Sequence, residues 1–107
     1  MGMFDNYPES DVNEEVFMIT PGEILKEEFL KEMDISEYRL AKSTGIQATA
    51  INQIVKGKRS ISAETALKFS RFFGNSAQFW LNLQDQYDLK KAKQKLGAKL
   101  ELIEQYH

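Results

Sequence analysis

The chain has 107 residues, 42% of them hydrophobic, and carries a net charge of −2. That suits one folded domain with a modest core and excludes a wholly disordered chain. Having no cysteine excludes disulfides and thiolate zinc sites, and the longest apolar run falls well short of the roughly 18 residues of a membrane span. The first residues, MGMFDNYPES, lack the basic and apolar stretches of a secretory leader. The expected location is therefore the cytoplasm, with no membrane partner.

In chain order, residues 1–18 come first. They are acidic, contain Pro8 and show no sustained period, so we expect a flexible arm. The stretch Thr20–Pro21–Gly22–Glu23 then reads as a capping box. Thr20 caps the helix, Glu23 reaches back, and Pro21 suits the first turn. Ile19 and Ile24 are placed to form a hydrophobic staple. The first helix is predicted to run to about Glu32, burying Ile24, Leu25 and Phe29, with Met33 as a further candidate. A second short helix starts at Ser36, with Ile35 and Leu40 as another staple, and ends by Ser43. Thr44–Gly45 makes the turn, where glycine takes a left-handed conformation at little cost. A third helix begins near Gln47 and ends before Gly57, with Ile51, Ile54 and Val55 as its buried stripe.

Ser62 caps a fourth helix, Ala63 to Phe73, with Ala66, Leu67, Phe69, Phe72 and Phe73 available to the core and Gly74 as its stop. Ser76 caps a fifth, carrying Phe79, Trp80, Leu81 and Leu83. Residues 85–107 read as continued or further helix, with Gly97 marking a break. No stretch alternates with the period of a strand. The expected architecture is all-α: an arm over 1–18, a helical domain over 19–84 and a C-terminal helical extension over 85–107.

The charge is unevenly placed. Residues 1–35 hold ten acids and two lysines, residues 36–73 hold seven bases and two acids, and residues 74–107 hold five lysines and four acids. A polyanion feels the local field, which decays within about 8–10 Å at physiological salt. The middle block is thus the candidate nucleic-acid surface. Two short helices joined by a tight glycine turn, the second followed by a basic loop, also describe a helix-turn-helix. Small Ala41 lets the two helices cross closely, and Ile46 and Ile51 anchor the second to the core.

That leaves Gln47, Ala48, Thr49, Asn52, Gln53 and Lys56 on the free face. Asn and Gln can bond adenine bidentately, and a Thr or Ala methyl can touch the thymine methyl. None of the six is acidic. Lys56, Lys58 and Arg59, with Arg39 and Lys42 on the preceding helix, are placed to meet phosphates, which set affinity rather than sequence. An ordinary solvated amphipathic helix remains the alternative reading of this face.

The run STGIQATAINQIVKGKRSISAETALKFSRFFG resembles the helix-turn-helix of the Xre/Cro repressor family. With PGEILKEEFL before it and FWLNLQDQYDL after it, about residues 19–92 resemble the HigA-type antitoxins, also called virulence-associated protein I. The resemblance implies a five-helix, lambda-repressor-like domain that binds double-stranded operator DNA as a homodimer. It implies autorepression of its own operon and neutralisation of a RelE-like toxin that cleaves messenger RNA. The family's reading positions fall on Gln47, Ala48, Thr49, Asn52 and Gln53. The family's usual proline near the end of helix one is absent; Glu32–Met33 stands there.

Other stretches have blander readings. FWLNLQ, residues 79–84, is core or a dimer face, with Trp80 able to serve both. The lysine run over 90–99 is a solvated helix face, and the acidic arm is a solubilising tail or a contact for a basic toxin. Catalysis is not expected. The single histidine, His107, ends the chain, and with no cysteine there is no nucleophile–base pair and no mixed metal cluster. No metal, cofactor or small-molecule substrate is expected. Two alternatives stay open: a stand-alone repressor without a toxin, and a protein-interaction module that no longer reads DNA.

Overall fold

The computed structural model describes residues 18–106. The predicted arm, apart from Met18, and His107 lie outside the described residues. Helix α1 is built of three contiguous segments, Pro21–Ile24, Leu25–Leu30 and Lys31–Met33. It is followed by α2 (Glu37–Thr44), α3 (Ala48–Val55), α4 (Ala63–Phe73) and α5 (Ala77–Leu96), with a closing 3-10 turn at Gly97–Leu102. No strand occurs among the described residues, and the fold is the all-α, five-helix architecture expected.

The caps form as read from the sequence. Thr20 Oγ1 accepts from the Glu23 N–H at 3.1 Å, and Glu23 Oε1 accepts from the Thr20 N–H at 3.1 Å. Ser36, Ser62 and Ser76 each accept from the backbone N–H three residues on. Such caps each contribute about 1 kcal/mol by satisfying amides that have no partner within the helix. The first staple does not close in the same way: Ile19 is 54% exposed.

Helix α1 departs from the expected phase. Across Leu25–Leu30 its turns are π-type, and the Lys31 N–H reaches the Lys26 carbonyl. A π turn closes five residues apart, so Leu25 and Leu30 come onto one face. Both are buried. Leu30 is a core residue that a 3.6-residue period passes over, and the same shift carries Met33 out to 46% exposure. The helix ends through Asp34, whose φ of 55° is left-handed. Aspartate is among the few non-glycine residues that accept this conformation. The Ile35 N–H then bonds the Leu30 carbonyl at 2.9 Å. The chain thus turns toward α2 without a proline.

The core gathers Leu25, Leu40, Ile51, Ile54, Ile61, Ala66, Phe69 and Trp80. Trp80 is fully buried, with Phe29 at 4.7 Å and Phe69 at 5.1 Å between ring centroids. Tilted and edge-on pairs of this kind add about 0.5–1.5 kcal/mol each beyond the area they bury. The Trp80 Nε1–H donates to Asn75 Oδ1 at 3.0 Å. Trp80 is therefore core, not a free interface anchor. Leu67, expected in the core, is 62% exposed. Ala66 and Phe69 define the inner face of α4, and Leu67 sits on its flank. Helix α5 runs unbroken past residue 84, and its buried residues, Trp80 and Gln84, lie in its first half.

One close approach sets the position of α3. Gly22, in the first turn of α1, lies against the carbonyl of Ile54 in the last turn of α3, where a Cβ would collide with backbone. Backbone cannot yield as a flexible side chain does. Gly22→Ala should therefore lower the unfolding free energy by about 2–3 kcal/mol in urea titration. An unchanged midpoint would contradict this packing.

Candidate nucleic-acid interface

Helix α3 is held by its inner face and free on its outer one. Ile51 and Ile54 are buried against α1 and the core, and Ile46 and Val55 pack beside them. Gln47 caps the helix with extended backbone and makes no side-chain cap bond. It is exposed, as are Ala48, Thr49 and Gln53, while Asn52 is half-buried. Gly45, at φ 77°, turns the chain from α2 into α3. The Thr44 hydroxyl stabilises that corner, donating to the Leu40 carbonyl at 2.7 Å and accepting from the Ile46 N–H at 3.3 Å.

Ala48, Thr49, Asn52 and Gln53 line one shallow concave surface, and Glu37 and Tyr38 from the start of α2 complete it. Asn52 Nδ2 donates to Glu37 Oε1 at 3.1 Å. The predicted reading positions on α3 are uncharged, as their sequence indicates, but a carboxylate from the neighbouring helix stands among them. No short-range pattern could have pointed to it, because Glu37 and Asn52 are 15 residues apart.

The basic residues divide into two groups. Lys56, Lys58 and Arg59 are exposed at the end of α3 and in the following loop. That loop is tied to the helix: the Lys58 N–H bonds the Gln53 carbonyl at 2.8 Å, and Arg59 Nε donates to Gln53 Oε1 at 3.0 Å. Lys42 lies over the Tyr38 ring at 5.8 Å, beside the concave surface. Arg39 is exposed too and lines a groove between α1 and α2, with Lys26, Lys31 and Asp34, that shares Glu37 and Tyr38 with the concave surface. The structure therefore sets the predicted reading positions of α3 beside Lys42, Lys56, Lys58 and Arg59, with Arg39 on the adjoining groove across Glu37 and Tyr38.

A residue not singled out from the sequence positions the loop from behind. Gln84, on α5, is buried. Its Oε1 accepts from the Ile61 N–H at 2.8 Å, and its Nε2 donates to Asp88 Oδ1 at 3.0 Å and to Ser60 Oγ at 3.4 Å. These bonds fasten the loop of Lys58 and Arg59 to α5. The signal in the sequence is a glutamine one helical turn after Trp80, on the same face as a buried tryptophan.

The helix-turn-helix family model matches residues 26–80, from within α1 to Trp80. Virulence-associated protein I of Dichelobacter nodosus is 53% identical over 76 residues, which is 71% of this chain and 70% of that protein. The Pseudomonas aeruginosa antitoxin HigA, solved with the higBA promoter, is 45% identical with a TM-score of 0.77, covering 81% of this chain and 95% of that one. The chain belongs to the helix-turn-helix family, in its HigA-type branch. A further Pseudomonas aeruginosa protein, solved with its 18-bp operator DNA, is 46% identical with a TM-score of 0.80, covering 82% of this chain and 94% of that one. The span matched by the family model contains the whole α2–α3 unit described above.

In this HigA-type chain the bond from the Ile61 N–H to Gln84 is buried, so losing it leaves a buried backbone amide without a partner. Gln84→Leu should cost about 1–3 kcal/mol of stability in chemical denaturation, although leucine is the more hydrophobic residue. A gain in stability would show that the loop is held by other means.

Proposed function

We propose that this protein is a cytoplasmic, sequence-specific DNA-binding antitoxin that represses its own operon and neutralises a RelE-like, messenger-RNA-cleaving toxin. The observation that carries the reading is the outward face of α3. It offers uncharged hydrogen-bonding groups, is flanked by exposed cations, and belongs to a fold shared with a relative solved on operator DNA. Helix α3 enters the major groove with its N-terminal residues nearest the base edges. Gln47, Asn52 and Gln53 supply donors and acceptors to the bases, and Ala48 and Thr49 supply methyl contacts. Lys42, Lys56, Lys58 and Arg59 meet phosphates beside α3, and Arg39 meets the backbone further along the duplex. No residue is assigned a catalytic role, and no metal or cofactor enters the mechanism.

Asn52→Ala is expected to weaken binding to the duplex upstream of the gene by about 1–3 kcal/mol and to relax base preference at one position. Lys58→Ala should instead weaken binding to all duplexes alike and flatten the salt slope by about one unit. Fluorescence anisotropy against the upstream and a scrambled duplex, across several salt concentrations, reads both. Weak, equal binding to the two duplexes by the unaltered protein would favour a protein-interaction module over the DNA-reading role.

Two copies are needed to read half-sites about 34 Å apart. The end of α5 and the turn after it supply a candidate dimer face. Leu89, Leu96, Leu100, Leu102 and Ile103 are all exposed there, and burying each would contribute about 1.5–3 kcal/mol at most. Light scattering should give a dimer alone, and a larger complex with the product of a toxin gene beside this one. A monomer that still selects its operator would refute the dimer. No complex with the toxin would leave a stand-alone repressor.

A further inference from the structure

The feature that base reading does not account for is an acidic side chain inside the reading surface. Glu37 sits in the first turn of α2 and lines the same concavity as Ala48, Thr49, Asn52 and Gln53. Its Oε1 is 3.1 Å from Asn52 Nδ2. A carboxylate can only accept, whereas an amide group both donates and accepts. The bond therefore has one sense, with the nitrogen of Asn52 turned toward Glu37. Asn52 is only half-exposed, so the orientation of this amide governs what it can show to a base.

We propose that Glu37 is a specificity-determining residue that acts in two ways, resting on the reading of α3 as the base-contacting helix. First, it locks the amide of Asn52. One N–H goes to Glu37, while the second N–H and Oδ1 stay available as a donor–acceptor pair. That pair matches the N7 acceptor and N6 donor of adenine in the major groove and mismatches the two acceptors of guanine. A freely flipping amide would still match adenine, but it would spend part of its time presenting the wrong edge. Second, Asn52 is neutral and does not cancel the carboxylate. Glu37 therefore opposes close approach of phosphates wherever the bases do not compensate. Repulsion of wrong sequences raises specificity without adding affinity for the right one.

Two substitutions at 37 remove both effects by different routes. Glu37→Gln keeps size and reach but removes the charge and lets the side chain donate as well as accept. Glu37→Ala removes the bond altogether. The test is selection from a pool of randomised duplexes, alongside anisotropy on a scrambled duplex at low salt. Circular dichroism melts establish that both variants fold. The unaltered protein should enrich adenine at one position per half-site, and Asn52→Ala should lose that preference. Both Glu37 variants should relax it at that position only, by about tenfold, and bind the scrambled duplex several-fold more tightly. A merely structural role would weaken every duplex together. If both Glu37 variants keep the adenine preference and the parent's affinity for the scrambled duplex, the role of Glu37 is overturned while the reading helix stands. If Asn52→Ala leaves the selected motif intact, base reading by Asn52 fails, and Glu37 loses its role with it.

Discussion

The placement of α3 depends on one backbone contact. Gly22 in the first turn of α1 lies directly against the Ile54 carbonyl at the end of α3. No side chain separates the two helices there, so neither can slide without breaking contact. The buried pair Ile51 and Ile54 then orients the rest of the helix, inner face down. An outer face presented rigidly is what recognition of base edges requires, because hydrogen bonds of about 2.9 Å tolerate little displacement.

Polar anchors extend this rigidity beyond the helix. The loop after α3 carries Lys58 and Arg59, and a loop of long cations would ordinarily be loose. Here its backbone bonds the last turn of α3, Arg59 bonds Gln53, and Gln84 secures Ser60 and Ile61 from α5. The helix that supplies the aromatic core through Trp80 thus also sets the height of the basic loop. A change along α5 has a short physical route to the basic loop, since Gln84 bonds Ser60 and Ile61 directly and a rotation would strain those bonds.

The electrostatics explain how an acidic protein carries a surface suited to a polyanion. The net charge of −2 averages over a basic middle and an acidic start. Screening makes the local arrangement decisive. Within that arrangement the charges are graded: cations ring the outward face of α3, uncharged groups occupy it, and one carboxylate is set into its edge.

The sequence by itself determined the helices, their caps and the composition of the α3 face. Capping boxes, glycine stops and 3.6-residue periods are local rules, acting over three or four residues. Thr20, Ser36, Ser62, Ser76 and the Ile51–Ile54 stripe were legible for that reason. So was the family, because its motif is a nearly contiguous run. The tertiary structure alone decided where local rules stop. It wound α1 through π turns that bury Leu30 and expose Met33, left Ile19 and Leu67 in solvent, and set Arg39 on a groove between α1 and α2. It also joined Glu37 to Asn52 and Gln84 to Ile61, pairs 15 and 23 residues apart. Contacts at that range depend on how whole helices dock, which is settled by packing density and buried hydrogen bonding, not by neighbours in the chain.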